Sequence, residues 1–174
     1  MRRICELAFA VFIFCVPMWA QQTKNPVTTV VKEILPRQQK NLVAAVEEMP
    51  ADKFSFRPTP AQMSFAHLVA HITESNYYLC AKISDTAAPK NSELKETDSK
   101  EKLVAGLKAS FEFCETALSK VDDSTLGDTI QAYGGHDAPR AWAVIALTND
   151  WADHYSAAAT YLRLNGLLPP TAKK

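Results

Sequence analysis

What this chain has little of narrows it first. Charge of one sign is missing: 19 Lys and Arg face 19 Asp and Glu, a formal net charge of +0. Without Arg2, Arg3 and Glu6, which belong to a distinct N-terminal stretch, the counts become 17 and 18. A near-neutral chain has no basic field to hold nucleic acid or an anionic membrane surface, and neither is expected as a partner. Beyond residue 20 no hydrophobic run approaches a membrane span, so no stable membrane insertion is expected there. Glycine is scarce, at 5 residues. The pair Gly134-Gly135 lacks the preceding strand and following helix that a phosphate loop needs. No Cys-x-x-Cys is present and no positive cluster lies near a cysteine, which argues against a redox-active dithiol. Ser64, Ser75 and Ser156 lack a nucleophile-elbow context. Hairpin signals, internal repeats and low-complexity tracts are missing as well.

The first 20 residues stand apart from the rest. Arg2 and Arg3 form a basic start, Leu7 to Val16 is an apolar run of about ten residues, and Pro17 and Ala20 follow. That run is too short for a typical membrane helix and reads as a secretory signal cleaved after Ala20, although Met18 departs from the small-residue rule. An uncleaved anchor is the alternative. Neither Cys5 nor Cys15 follows a Gly or Ala, which argues against a lipoprotein site. The expected mature unit is one domain, residues 21–174, exported to a periplasmic or extracellular location. Its two cysteines, Cys80 and Cys114, are then expected to bridge two helices, with free buried thiols as the alternative.

Four amphipathic segments follow. The first spans about Pro26 to Glu48, with Val27, Val30, Val31, Ile34, Leu35, Leu42 and Val46 on one stripe, and Pro36 is expected to kink or split it. The second opens at the N-cap Ser64 and runs to about Ser84, with Phe65, Leu68, Val69, Ile72, Leu79 and Ile83 facing inward. A polar, Pro-containing loop, Asp85 to Asp98, is the best candidate for a mobile surface segment. The third, about Ser99 to Val121, repeats Leu103, Leu107, Phe111, Cys114, Leu118 and Val121 at bundle-seam steps. The fourth starts at Pro139 or Arg140 and is stopped by Gly166 and Pro169-Pro170. The fold class is all-α, a four-helix bundle.

The fourth segment carries the chemistry. Leu147, Trp151, Ala158, Tyr161 and Leu162 share one apolar face, and Asp150 and His154 fall inside it one turn apart. A carboxylate there is costly unless a metal ion, a proton shared with His154 or a cation from another helix pairs with it. On the second segment His71 lies at the flank of the apolar face, while His67 points further out. Imidazole and carboxylate from facing helices are how bundles build metal sites, and three protein ligands leave a position open for water or substrate. His67, His136 and Asp153 are weak candidates for a general base. Tyr161 and Asn165 are expected to make interhelical hydrogen bonds.

Two stretches, Ser64-Phe-Ala-His-Leu-Val-Ala-His-Ile-Thr-Glu-Ser-Asn-Tyr-Tyr-Leu-Cys80 and His154 through Tyr161-Leu-Arg-Leu-Asn-Gly-Leu-Leu-Pro-Pro170, resemble the DinB/YfiT-like family of helical-bundle metalloproteins. The order of four helices agrees with it over essentially the whole of residues 21–174. The resemblance implies a metal, often nickel or zinc, held by one histidine of the second helix and a His-x-x-x-His pair of the fourth. His71 matches the first ligand and His154 the last, and the middle position falls on Asp150 instead of histidine. Such a two-histidine, one-carboxylate set suits zinc, manganese or iron. The resemblance further implies thiol-dependent transfer or isomerisation in some members and a homodimer in many.

Two readings therefore stand. One is an exported protein with a divalent metal (zinc, nickel, manganese or iron) at His71, Asp150 and His154, acting on a small molecule by metal-assisted hydrolysis or transfer. Its site is expected to open near the Gly134–Pro139 loop. The other is a metal-free bundle for binding or structure, in which Asp150 and His154 hydrogen-bond across the core.

Overall fold

The computed structural model describes residues 24–90 and 93–173; the expected signal, residues 1–20, lies outside them. Four helices carry the architecture: α1 Pro26–Glu48, α2 Phe65–Ser84, α3 Lys100–Ser119 and α4 Arg140–Leu164. Between α3 and α4 lies a short antiparallel ribbon, β1 Thr129–Gln131 and β2 Asp137–Pro139, with Ile130 opposite Ala138. Around the bundle α2 packs on α3 and α4, and α1 packs on the same two, so α1 and α2 stand on opposite corners. The extended connection 49–64 spans that diagonal. No helix among the described residues is long and apolar enough to cross a membrane.

Each helix starts where a local or borrowed cap satisfies its first amides. Ser64 accepts from the His67 N–H at 3.1 Å, and Ser99 accepts from Lys102 at 3.3 Å. At α1 the cap comes from far along the chain. Asp123 accepts from the N–H groups of Val27 (2.9 Å) and Thr28 (2.8 Å) and from the Thr28 hydroxyl (2.8 Å). At the other end of α2, the buried Arg140 donates to the carbonyls of Lys82 and Ile83 and pairs with Asp85 at 2.7 Å. Helix α4 ends with Gly166 at φ +75, a left-handed residue after which the Leu167 N–H reaches back to the Leu162 carbonyl.

The core is one apolar cluster centred on Phe65, Phe111 and Trp151, with Leu42, Leu103, Leu107 and Leu147 fully buried around them. One polar chain crosses it. The Trp151 indole N–H donates to Asn76 Oδ1 (2.7 Å), Asn76 donates to the Ser110 hydroxyl (2.9 Å), and Ser110 donates to the Leu107 carbonyl (2.8 Å). Beside it Cys80 and Cys114, both buried, are joined in a disulfide linking α2 to α3.

Several expectations change at this level. Val27 and Val30 do not join the core stripe; they are 43% and 51% exposed. The buried line starts at Thr28 and Val31 instead, because the Asp123 cap holds Thr28 inward and sets the rotation of α1. Pro36 does not split α1, which continues across it. The α3 helix stops at Ser119, although Val121 is still buried. The ribbon breaks the purely helical pattern, and its three-residue strands are too short to show an alternation in the sequence. The loop expected to be mobile includes residues 91–92, which lie outside the described ones. Its end is tied down: Leu94 lies over Gly106, where an added Cβ would meet it at 2.7 Å, and Glu96 accepts from Ser64 and Arg57.

Candidate metal centre

Helix periodicity and the packing of α2 on α4 bring three side chains to one point. Asp150 and His154 share a face of α4 one turn apart, and His71 of α2 meets them. One donor atom from each lies within 4.8 Å of the other two. Bonds of about 2.0–2.2 Å in tetrahedral geometry set donors roughly 3.4 Å apart, so the triad stands at or somewhat beyond the spacing an ion imposes. The His71 and His154 rings are 4.9 Å apart and inclined at 58°.

The hydrogen bonding within the triad decides how the ring of His154 is used. Its Nδ1 lies 2.7 Å from the Asp150 backbone carbonyl. A carbonyl oxygen only accepts, so Nδ1 carries the hydrogen and, in the neutral ring, Nε2 keeps the lone pair. That is the tautomer and anchoring that metal-binding histidines use. Asp150 Oδ2 is 3.2 Å from the same nitrogen. That N–H is directed at the carbonyl, and Oδ2 is left buried with no hydrogen-bond donor among the described residues. The Asp150 and His154 side chains are only 17% and 12% exposed. Burial pushes the His154 imidazole down, while the Asp150 carboxylate close to its Nδ1–H and the Asp150 carbonyl that accepts from it push it up, and the net result lies above the ordinary value.

The other sequence candidates do not reach the triad. His67 is exposed and lies 3.8 Å from Glu96. His136 is exposed on the ribbon turn, edge-on to Trp142 at 6.2 Å. Asp153 is exposed and touches His154 only through its charge. The Tyr161 hydroxyl donates to the Met63 carbonyl at 2.7 Å, joining α4 to the segment before α2, while Asn165 bonds within its own helix instead of across the bundle.

Tyr133, which the sequence did not single out, feels the charge of Asp150 at its hydroxyl. It sits on the ribbon turn before Gly134 and Gly135, both at positive φ (+74 and +76). Its ring stacks on Tyr78 at 4.3 Å and meets Trp142 edge-on at 5.6 Å. Burial raises its hydroxyl above the ordinary range, the Ser75 hydroxyl lowers it, and the Asp150 carboxylate raises it again. Only an aromatic ahead of two glycines signals this in the sequence, and that pattern is not specific.

One residue of the triad, His71, borders a cleft of about 600 Å³, lined also by His67, Glu74, Tyr78, Glu93 and Leu94. It lies between α2 and the end of the 85–98 loop, and the 134–139 turn takes no part in its walls.

Fold and site together define a four-helix bundle with a candidate metal triad at the junction of two helices. A family model for the DinB superfamily matches residues 34–157, and the chain belongs to that superfamily. The fold is similar to a DinB-like protein from Bacillus subtilis (TM-score 0.67, 18% identity, 83% of this chain and 99% of that one). It is similar to a DinB-like protein from Bacillus cereus (0.66, 15%, 80% and 93%) and to a conserved protein from Enterococcus faecalis (0.62, 17%, 79% and 96%). At these identities the likeness is one of fold. No curated protein sequence matches the chain.

Proposed function

We propose that this protein holds one divalent metal ion between His71, Asp150 and His154 and uses it in hydrolysis or group transfer on a small molecule. One observation carries the reading: a carboxylate oxygen, Asp150 Oδ2, is buried beside two imidazoles, and among the described residues the N–H nearest it, His154 Nδ1 at 3.2 Å, is directed at the Asp150 carbonyl. An uncompensated buried carboxylate costs several kcal/mol, and a cation bound by both histidines removes that cost. The donor set, two nitrogens and one oxygen, suits zinc, manganese, iron or nickel. An ion so held supplies Lewis acidity and lowers the pKa of a bound water or thiol.

The chain's own groups do the rest. The Asp150 carbonyl fixes the His154 ring with Nε2 available, and the Asp150 carboxylate offsets part of the cation's charge. Three protein ligands leave a coordination position open, and one of them, His71, borders a cleft. Tyr133, stacked on Tyr78, feels the charge of the Asp150 carboxylate. Export of the chain is part of the proposal: the 1–20 stretch supports it, and so does a buried disulfide, which persists in oxidising compartments. Export separates the protein from cytosolic thiols, which favours water over thiol as the activated group.

A second reading rests on the 3.2 Å approach of Asp150 to His154. There His154 is protonated, the pair is self-sufficient, and the bundle binds a partner without a metal. Elemental analysis of untagged protein, exported in its native compartment and purified without chelator, tests the first. About one zinc, nickel, manganese or iron per chain is expected, lost in Asp150→Ala and in His154→Ala. A blank that persists after incubation with those metals overturns it in favour of the second.

A further inference from the structure

The seam between α2 and α4 holds a phenol that the metal centre does not account for. The α2 side of the seam carries His71, Ser75 and Tyr78 at four- and three-residue steps; the α4 side carries Trp142, Asp150 and His154 at multiples of four. The His71 and His154 rings, 4.9 Å apart, join the two rows at one end. Tyr133 of the ribbon turn joins them at the other, stacked on Tyr78 at 4.3 Å and edge-on to Trp142 at 5.6 Å. Beside its hydroxyl is Ser75, which is buried and stands one turn, about 6 Å, from His71. The phenol therefore reaches back along the seam from the stacked ring toward the triad.

Hydrogen-bond accounting singles this phenol out. Asp150 Oδ2 is buried without a partner among the described residues. Nearby donors are committed: the His154 Nδ1–H to the Asp150 carbonyl, the Trp151 indole to Asn76 and the Thr148 hydroxyl to the Ile145 carbonyl. Burial raises the Tyr133 hydroxyl above its ordinary range, the Ser75 hydroxyl lowers it and the Asp150 carboxylate raises it, so it keeps its hydrogen at neutral pH. A hydroxyl that lowers it does so by donating to the phenol oxygen, which stabilises the phenolate. That leaves the O–H of Tyr133 free to donate, and an ionised carboxylate only accepts.

We propose that Tyr133 is a positioning residue of the triad: its phenol donates to the Asp150 carboxylate and holds it in the orientation that binds an ion together with His71 and His154. The inference rests on the metal reading above and deepens it. In the ion-free protein Oδ2 still lacks its donor, and a short displacement of the ribbon turn brings the phenol to it. The turn permits that movement. Gly134 and Gly135 have φ of +74 and +76, and a Cβ at either position would meet nothing within 4 Å, so the tip of the turn is not packed on the bundle. Asp150 has the capacity for both roles, since two carboxylate oxygens offer about four lone-pair sites. A carboxylate ligand fixed by a hydrogen bond loses less rotational freedom on binding an ion, and deleting such a partner typically costs roughly 10–100-fold in metal affinity.

The test is affinity for zinc, with manganese as a second probe, measured by chelator competition on the exported, disulfide-bonded protein. Tyr133→Phe keeps the ring on Tyr78 and removes only the O–H; Tyr133 is 49% exposed, so the variant keeps the fold. It should bind the ion about tenfold more weakly or worse. Ser75→Ala removes the resting neighbour of the phenol and should stay within about twofold of wild type, because the donor to Asp150 is untouched. A second readout follows the phenol itself: in protein labelled at tyrosine Cζ, zinc should move the NMR resonance that Tyr133→Phe deletes. Wild-type affinity in Tyr133→Phe overturns the inference, since packing alone is then what the ring supplies. So does a loss in Ser75→Ala equal to that in Tyr133→Phe, which would route the effect through Ser75, or a Tyr133 resonance that zinc leaves in place. The two proposals fail differently. A wild type that takes up neither ion removes the metal centre and this inference with it; uptake that Tyr133→Phe does not weaken removes this inference alone.

Discussion

Asp150 contributes energies of opposite sign according to what faces it, and a single substitution reads which applies. In the metal-stripped protein a carboxylate whose Oδ2 has no donor is a liability, and Asp150→Asn removes it at nearly constant shape. Melting in EDTA should then rise or stay level relative to wild type. If Asp150 is paired with a protonated His154 instead, the same substitution lowers the melting temperature in EDTA. With metal present the orphaned-carboxylate case predicts a lower melting temperature for Asp150→Asn, because ligand linkage is lost. Trp151, one residue on, gives an independent prediction. Trp151→Phe keeps a ring in the core but deletes the donor to Asn76 Oδ1, leaving a buried carbonyl unpaired. A loss of about 1–3 kcal/mol is expected from that alone. Urea unfolding should show it as a lower midpoint at unchanged slope.

Among the elements, α1 depends on a residue 95 positions away from its first buried turn. Burial pushes the Asp123 carboxyl up, while the amides of Thr28 and Val27 and the Thr28 hydroxyl pull it down further, so its net position is below the ordinary carboxylate value. A depressed folded pKa means that this stabilisation is present above the unfolded value, about pH 4, and is lost as pH falls through the folded one. Asp123→Ala should therefore melt about 3–5 °C below wild type at neutral pH. The gap should close in acid, below the ordinary carboxylate range; a gap independent of pH would show that the carboxylate's charge is not what caps the helix. The helix boundaries themselves were readable, since Pro26, Ser64, Ser99 and Gly166 are local start and stop signals. The inward rotation of α1 was not readable, because an exposed Val27 and a buried Thr28 follow from a cap that only the fold supplies. Arg140 is a similar case. Nothing adjacent in sequence shows that it bonds the last carbonyls of α2 from the first turn of α4.

At the scale of the whole molecule, the Cys80–Cys114 bond closes a separation of 34 residues between α2 and α3. On the chain-entropy view a loop of that length stabilises by about 3–4 kcal/mol. The double variant Cys80→Ser, Cys114→Ser should remain folded at room temperature and unfold at a clearly lower urea concentration. Alkylation of the denatured, unreduced mature protein should add no groups; two added groups would mean free thiols. Export is checked by the N-terminus of protein recovered outside the cytosol, expected at Gln21, whereas an intact Met1 in the membrane fraction would favour an anchor.

The sequence by itself determined the number and type of the helices, most of their ends, and the placing of Asp150 and His154 one turn apart on one face of α4. All of these depend on spacing along one chain segment, where roughly 100° per residue converts position into direction. It also pointed to His71 over His67, from their angles to the apolar stripe of α2. Only the tertiary structure decided that His71 stands within reach of the α4 pair, that Oδ2 of Asp150 has no hydrogen-bond donor among the described residues, and that Tyr133 stacks on Tyr78. It also showed a cleft at His71, between α2 and the 85–98 loop. These facts depend on distances between segments far apart in the chain. Helical periodicity carries no information about such distances, because it fixes which way a side chain points and not what it meets.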